Sequence, residues 1–144
     1  MPPGERLTPR WIVDGLNVIG SRADGWWRDR RGAMRRLVRA LDAFARETGE
    51  PVTVVFDGAA HDVPAERVDV RFARGRGPNA ADADIAALAA SDSDPATVRV
   101  VTSDGALAAR VRAAGAEVVG AGGFRRRLDA LEQDRRGDGR SDDA

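Results

Sequence analysis

The chain has 144 residues, which is the length of one domain with a substantial buried core. Its 23 basic and 23 acidic residues cancel, so the net charge gives no information about partners. The absence of cysteine excludes disulfides, thiol catalysis and cysteine-based zinc sites, and the single histidine excludes a multi-histidine metal centre. No apolar run approaches the ~20 residues of a membrane span and no signal-peptide pattern opens the chain, so we expect a cytoplasmic protein without membrane contact.

The first predicted element is a buried strand that ends in a carboxylate. After a flexible leader over residues 1–9, the strand covers Arg10 to Asp14, and the polar residue Asn17 follows Asp14 closely. A polar loop from Gly20 to Asp29 comes next. The loop carries two adjacent aromatic residues that either cover the core or give bases a stacking surface, namely Trp26 and Trp27.

A long amphipathic helix follows from about Asp29 to Thr48, where Gly49 and Pro51 end it. Arginines cluster on a face other than its apolar one: Arg28, Arg31, Arg35, Arg39 and Arg46. Such a stripe is either a solvated face or the electrostatic footprint of a polyanion. Because few acids accompany these arginines, the sequence favours the second interpretation.

The middle of the chain predicts two more strands and a helix. A strand covers Val52 to Asp57, and an edge strand follows in which Val68, Val70 and Phe72 alternate with polar residues. The glycine-rich segment after it is a candidate phosphate clamp, with basic residues Arg74 and Arg76. A helix from Ala80 to Ala90 comes next, with Asn79 as its expected cap.

The C-terminal part repeats the alternation of strand and helix. We predict a strand over Val98–Val101, a helix over Gly105–Ala114 and a last strand over Ala116–Val119. A final helix is marked by Phe124, Leu128 and Leu131. Beyond Gln133 the chain is rich in Asp, Arg, Gly and Ser, so we predict an ordered domain over 10–133 and a disordered tail over 134–144.

This alternation predicts an α/β fold, a three-layer sandwich with a mainly parallel central sheet. Because the carboxyl ends of parallel strands meet at one edge, the strand-end aspartates should converge there, joined by Asp82 or Asp84 from the helix. Crowded carboxylates resist joint ionisation unless a cation lies among them. Oxygen ligands without histidine or thiolate suit Mg²⁺ or Mn²⁺, ions that activate water at phosphoryl groups. The competing interpretation is that these are solvated polar loop residues, as at many strand ends.

Other nucleotide and hydrolase chemistries fit less well. The chain has no G-x-x-x-x-G-K-[ST] motif and no lysine for a P-loop or a receiver domain. Glycines after the last strand lack the G-x-G-x-x-G spacing, and no G-x-S-x-G motif is present. A Toprim-like core would need a glutamate after the first strand and a D-x-D at a strand end, whereas Asp14 and a helix start occupy those places.

Four segments in order resemble the YacP-like NYN domain, a branch of the PIN-like ribonuclease superfamily. They are Asp14-Gly15-Leu16-Asn17-Val18-Ile19, Val54-Val55-Phe56-Asp57, Ala81-Asp82-Ala83-Asp84-Ile85 and Val100-Val101-Thr102-Ser103-Asp104. The resemblance covers about residues 10 to 131. It implies strand order 3-2-1-4-5 and a metal-dependent ribonuclease site.

Carried over residue by residue, the resemblance makes Asp14, Asp82 and Asp104 the metal ligands and Asn17 a polar helper. The expected supporting residues of the site are Asp57, Asp84 and Ser103. Two positions depart from the family pattern. Leu16 replaces the usual aromatic residue, and Ala108 stands where some relatives carry a further acid, which leaves fewer ligands for a second ion.

The resulting hypothesis is a Mg²⁺- or Mn²⁺-dependent endoribonuclease that holds RNA through exposed arginines and tryptophans. The expected RNA-binding residues are Arg28, Arg31, Arg35, Arg39, Arg74, Arg76, Trp26 and Trp27. The alternative is a non-catalytic RNA-binding NYN module. The sequence leaves open whether the protein forms a homodimer or works with a ribosomal or RNA-processing partner.

Overall fold

The computed structural model describes residues 8–77 and 79–143, with side chains described through residue 137. Residues 1–7 of the predicted leader lie outside the described residues. The elements follow one another as β1 (Arg10–Asp14), α1 (Gly15–Ile19), α2 (Arg30–Thr48), β2 (Val52–Phe56), β3 (Asp69–Phe72), α3 (Ala80–Ala90), β4 (Val98–Val101), α4 (Gly105–Ala113), β5 (Glu117–Val119) and α5 (Ala121–Asp143). Short 3₁₀ helices lie at Trp26–Arg28 and Pro95–Thr97.

The five strands form one sheet in the order β3-β2-β1-β4-β5, and every neighbouring pair is parallel. In the centre, Val13 of β1 lies in register with Val54 of β2 and Val101 of β4. This confirms the predicted parallel sheet, and it confirms the strand order that the family resemblance implied.

Alternating side chains of the central strand supply the two faces of the core. Trp11 and Val13 join the cluster formed with α1, α2 and α5, whereas Ile12 joins the cluster formed with α3 and α4. The first cluster contains an aromatic group in which Trp11, Phe44 and Phe124 have ring centroids 5.2–5.3 Å apart. Helices therefore cover both faces of the sheet, as a parallel sheet requires.

Two features of the chain differ from the sequence prediction. The residues directly after Asp14 form the short helix α1, which is too short to leave a periodic signal. Helix α5 continues to Asp143, whereas the composition predicted no order after Gln133. Once the packed part around Leu128 has formed, each further helical residue costs little, and Glu132 pairs with Arg136 one turn later at 2.8 Å.

Candidate active site at the carboxyl edge of the sheet

The carboxyl edge of the sheet collects the polar ends of three strands. Asp14 is the last residue of β1, Asp57 directly follows β2, and the sequence Thr102-Ser103-Asp104 follows β4. Because β1 lies between β2 and β4 in a parallel sheet, these residues share one rim. We call this the acid rim, and its fourth acid is Asp82 from the first turn of α3.

Asp14 is the deepest acid of the rim. The residue is 5% exposed, and its Oδ2 accepts a hydrogen bond of 3.0 Å from the hydroxyl of Thr102. The pKa of Asp14 is raised from 3.8 to about 6, and burial is the largest cause. The charges of Asp82, Asp57 and Asp104 also raise this pKa, and the hydrogen bond from Thr102 partly offsets the rise. Near neutral pH the fold therefore holds a buried carboxylate against repulsion from three other acids.

Two acids of the rim are held by backbone groups at helix N-termini. Asp104 precedes α4, and its Oδ1 accepts from the backbone N–H of Leu107 at 2.9 Å. The Oδ1 of Asp57 accepts from the backbone N–H of Ala81 in α3 at 2.8 Å. Both carboxylates thus lie at the positive end of a helix dipole.

Asn79 is the N-cap residue of α3, as predicted, but its side chain makes no capping hydrogen bond. Its backbone is left-handed, with φ of 67°. Asparagine is one of the few non-glycine residues that tolerate this conformation, so the same residue type suits both roles. Asp57, which lies 24 residues from Ala81 in sequence, satisfies the helix end instead.

Asp82 faces the acid rim, and Asp84 does not. Burial raises the pKa of Asp82, as do the charges of Asp104 and Asp57, while the guanidinium of Arg110 lowers it. The Oδ2 of Asp84 instead accepts from the backbone N–H of Arg74 at 2.8 Å. The structure therefore brings Asp82 together with the strand-end acids and places Asp84 in a separate environment next to β3.

Asn17 and Ser103 tie loops together at the rim. The Oδ1 of Asn17 accepts from the backbone N–H of Ser103 at 2.8 Å, which links α1 to the end of β4. The Oγ of Ser103 accepts from the backbone N–H of Ala121 at 2.9 Å, at the first residue of α5. Both side chains therefore fix the geometry of the segment that carries Asp104.

Thr102 and Arg110 belong to the site, but sequence reasoning gave neither of them a role. Thr102 is 1% exposed, and its Oγ1 both donates to Asp14 and accepts from the backbone N–H of Asp104 at 3.1 Å. A threonine two residues before a strand-end aspartate was the available signal. Arg110 carried no signal that would separate it from the other arginines of the chain.

The donor set at the rim matches a hard divalent cation, which prefers oxygen ligands. Within residues 8–77 and 79–143, however, no three Asp, Glu or His side chains are arranged as a group that would hold a metal ion. Magnesium commonly keeps several waters and takes only one or two carboxylates from the protein. The residues present therefore fit such an ion through their chemistry and their shared rim, without forming a closed ligand cage.

A cleft of about 820 Å³ adjoins the rim at Asp57. Arg30, Arg74 and Arg76 line it with positive charge, and Leu16 and Phe72 give it apolar surface. Arg74 and Arg76 were predicted as RNA-binding residues, whereas Arg30 was not. The cleft combines phosphate-binding side chains with apolar contact surface beside the acids.

The other predicted RNA-binding residues lie outside this cleft. Trp27 is 54% exposed, whereas Trp26 is half-buried, packs against the core and has Arg30 over its ring at 5.8 Å. Trp26 therefore covers part of the core, and of the two rings Trp27 is the more accessible to solvent. The predicted arginines of this region are all exposed: Arg28, Arg31, Arg35 and Arg39. Of these, Arg39 borders a second groove between α2 and α5.

No helix in the described part of the chain combines the length and the apolar composition needed to cross a bilayer.

The chain matches one family model and is similar to solved structures of known proteins. The family model for the YacP-like NYN domain matches residues 11–143. The crystal structure of Rae1 (YacP) from Bacillus subtilis is similar, with 25% identity, a TM-score of 0.76, and coverage of 92% of this chain and 80% of that one. A tryptophan-to-leucine mutant of Rae1 gives 28% identity, a TM-score of 0.72, and coverage of 87% and 77%. The comparison with curated proteins found no match.

Proposed function

The chain belongs to the YacP-like NYN domain family, a family of PIN-like nuclease domains, and from this premise we propose that it is a Mg²⁺- or Mn²⁺-dependent ribonuclease. The observation that carries the proposal is the acid rim itself. Burial, together with the charges of the three other acids of the rim, raises the pKa of Asp14 to about 6. Crowding of carboxylates does not stabilise a fold, so an acid whose pKa is shifted in this way indicates a functional site.

Asp14, Asp82 and Asp104 would hold the cation. When bound, such an ion activates water and offsets the charge that develops on phosphoryl oxygens. Thr102 orients the Asp14 carboxylate through its hydroxyl, and Asn17 fixes the segment that carries Asp104 through the N–H of Ser103. Asp57 adds negative charge at the rim while one of its oxygens is engaged by α3.

The cleft beside Asp57 is where the RNA strand would lie. Arg30, Arg74 and Arg76 would contact its phosphates, and Leu16 and Phe72 would contact a base or ribose. The exposed ring of Trp27 is available for stacking outside the cleft. The exposed arginines of α2 and the residue before it would add a longer-range attraction for the strand: Arg28, Arg31, Arg35 and Arg39.

A second candidate is a non-catalytic RNA-binding module. The observation that favours it is the lack, among the described residues, of a ready group of three metal-holding side chains. This candidate predicts the same RNA affinity without cleavage. The chemistry of the rim therefore has to be tested by a reaction and not by binding alone.

The test is incubation of labelled single-stranded RNA with the purified protein in Mn²⁺ or in EDTA. We expect cleavage in Mn²⁺ only, with 5′-phosphate and 3′-hydroxyl ends, and loss of cleavage in Asp14→Asn and Asp104→Asn. Asp129→Asn is the matched control, because it removes one carboxylate from a surface ion pair with Arg22. RNA that is bound but never cut would establish the second candidate, and undiminished cleavage by Asp14→Asn would exclude the acid rim as the active site. Measuring the molar mass of the purified protein tests whether it forms a homodimer.

A further inference from the structure

Asp84 lines a pocket of about 480 Å³ between the end of β3 and α3. Its apolar surface comes from β2 and α3, with Val55 and Leu88 as the larger side chains. Asp84, Arg71 and Ser91 supply polar groups at the same place. A cavity with an apolar lining and a few polar groups that point inward is typical of a site for a small ring system.

This pocket adjoins the cleft proposed for RNA. Phe72 and Arg74 line both cavities, so the two lie on either side of the segment that follows β3. The hydrogen bond from the N–H of Arg74 to Asp84 holds that segment between them. A nucleotide next to the one in the cleft would therefore reach the mouth of the pocket.

The carboxylate oxygens of Asp84 are hydrogen-bond acceptors, so the pocket favours a base that presents donors to them. A carboxylate offers about four lone-pair sites, and the Arg74 N–H uses one of them on Oδ2. The remaining sites can accept two parallel N–H groups. Guanine presents two adjacent donors, N1–H and the N2 amino group, on its Watson–Crick edge. Adenine and cytosine present an amino group beside an acceptor, and uracil presents one N–H between two acceptors.

A second polar side chain of the pocket suits a flat ring. Arg71 lines the pocket, and its Nε pairs with Asp69 at 2.8 Å. Planar guanidinium groups stack on exposed bases in RNA-binding proteins. Val55 is 1% exposed, which gives the inner end of the pocket a closed apolar wall.

We propose that this pocket binds a guanine base of the RNA strand that occupies the neighbouring cleft, with Asp84 accepting from its N1–H and N2–H groups. The proposal rests on the proposed RNA substrate. It gives Asp84, which the acid rim does not use, the role of a specificity residue. It also predicts that RNA with guanine at one position near the bound phosphate is preferred.

The test measures binding of short single-stranded RNAs that differ at one position, which carries guanine, inosine, adenine or uracil. Inosine is the sharpest probe because it lacks only the N2 amino group. Binding is measured in EDTA on the Asp14→Asn background, so that cleavage does not interfere and repulsion at the rim is lower. Asp84→Asn keeps an oxygen for the Arg74 N–H, and Asp129→Asn is the control for the loss of one negative charge.

We expect about tenfold tighter binding of the guanine RNA than of the inosine RNA, a preference that Asp84→Asn abolishes and Asp129→Asn retains. Equal affinity for guanine and inosine RNA, or a preference that survives Asp84→Asn, would overturn the pocket assignment. The proposed nuclease activity is judged separately by cleavage in Mn²⁺ with the native Asp14. A protein that cuts RNA without base preference would thus retain its proposed function and lose only this inference. Failure to bind any of the RNAs in EDTA would also overturn this inference, while the cleavage assay would still decide the nuclease proposal.

Discussion

Replacing Asp14 with asparagine should stabilise the protein at neutral pH while removing its proposed activity. The pKa of Asp14 is about 6 in the fold and near 3.8 in a free chain, so the folded protein takes up a proton between roughly pH 4 and 6. The contribution of this group is therefore fully favourable below pH 4 and is lost as the pH rises through 6. A pKa higher by about two corresponds to roughly 3 kcal/mol. Asparagine avoids this cost and still offers an oxygen to the Thr102 hydroxyl.

The assay is urea unfolding of both proteins at pH 4, 5, 6, 7 and 8 in EDTA. We expect the variant to match the wild type at pH 4 and to exceed its free energy of unfolding by up to about 3 kcal/mol at pH 8. Mn²⁺ should then narrow the gap by stabilising the wild type more than the variant, because only the wild type presents a charged carboxylate at position 14. A difference that does not change with pH, or a variant that is less stable at pH 8, would refute the assignment of Asp14 as a buried, crowded acid.

Three other changes test separate parts of the structure. Thr102→Val should raise the pKa of Asp14 above about 6, because it removes a hydrogen bond that lowers this pKa, and Thr102→Ser should restore the wild-type value. The pKa is measured by NMR titration of the carboxyl group, and an unchanged pKa in Thr102→Val would contradict the contact. Asp42→Asn should lower the free energy of unfolding by about 1–3 kcal/mol in urea at pH 7. The two carboxylate oxygens of Asp42 accept hydrogen bonds of 2.9–3.0 Å from the backbone N–H groups of Glu66, Arg67 and Val68, and the amide keeps only one of these acceptors. A decrease below about 0.5 kcal/mol would argue that these bonds do not stabilise the fold. Arg74→Ala with Arg76→Ala should lower the log–log salt slope of single-stranded RNA binding by about 0.7 per phosphate contact, and an unchanged slope would move the RNA away from the cleft.

The sheet could be predicted because its signals are local. The buried strands read as short apolar runs, and the long helix α2 shows its three-and-four spacing from Met34 to Phe44. The order of the strands came from the resemblance and not from periodicity. The convergence of Asp14, Asp57 and Asp104 followed from the rule that the ends of parallel strands share an edge.

The hydrogen bonds that shape the site could not be read from the sequence. Thr102 reaches Asp14 across 88 residues, Asn17 reaches Ser103 across 86, and Asp57 reaches Ala81 across 24. No local pattern distinguishes these partners from other polar residues in loops. The separation of Asp82 from Asp84 has a local cause, because residues two apart in a helix do not face the same side.

The different support given to the acids explains why Asp14 is the sensitive one. Asp57 and Asp104 each accept a hydrogen bond from a backbone N–H at a helix N-terminus, the positive end of the helix dipole. Asp14 also precedes a helix, but α1 is only five residues long, and the Asp14 side chain accepts no capping hydrogen bond from its backbone. The Asp14 carboxylate accepts a hydrogen bond from the hydroxyl of Thr102, which lowers its pKa by less than burial raises it. A cation at the rim would therefore stabilise the charged carboxylate of Asp14 more than those of the other acids, because the protein itself offsets the burial and repulsion of this charge the least.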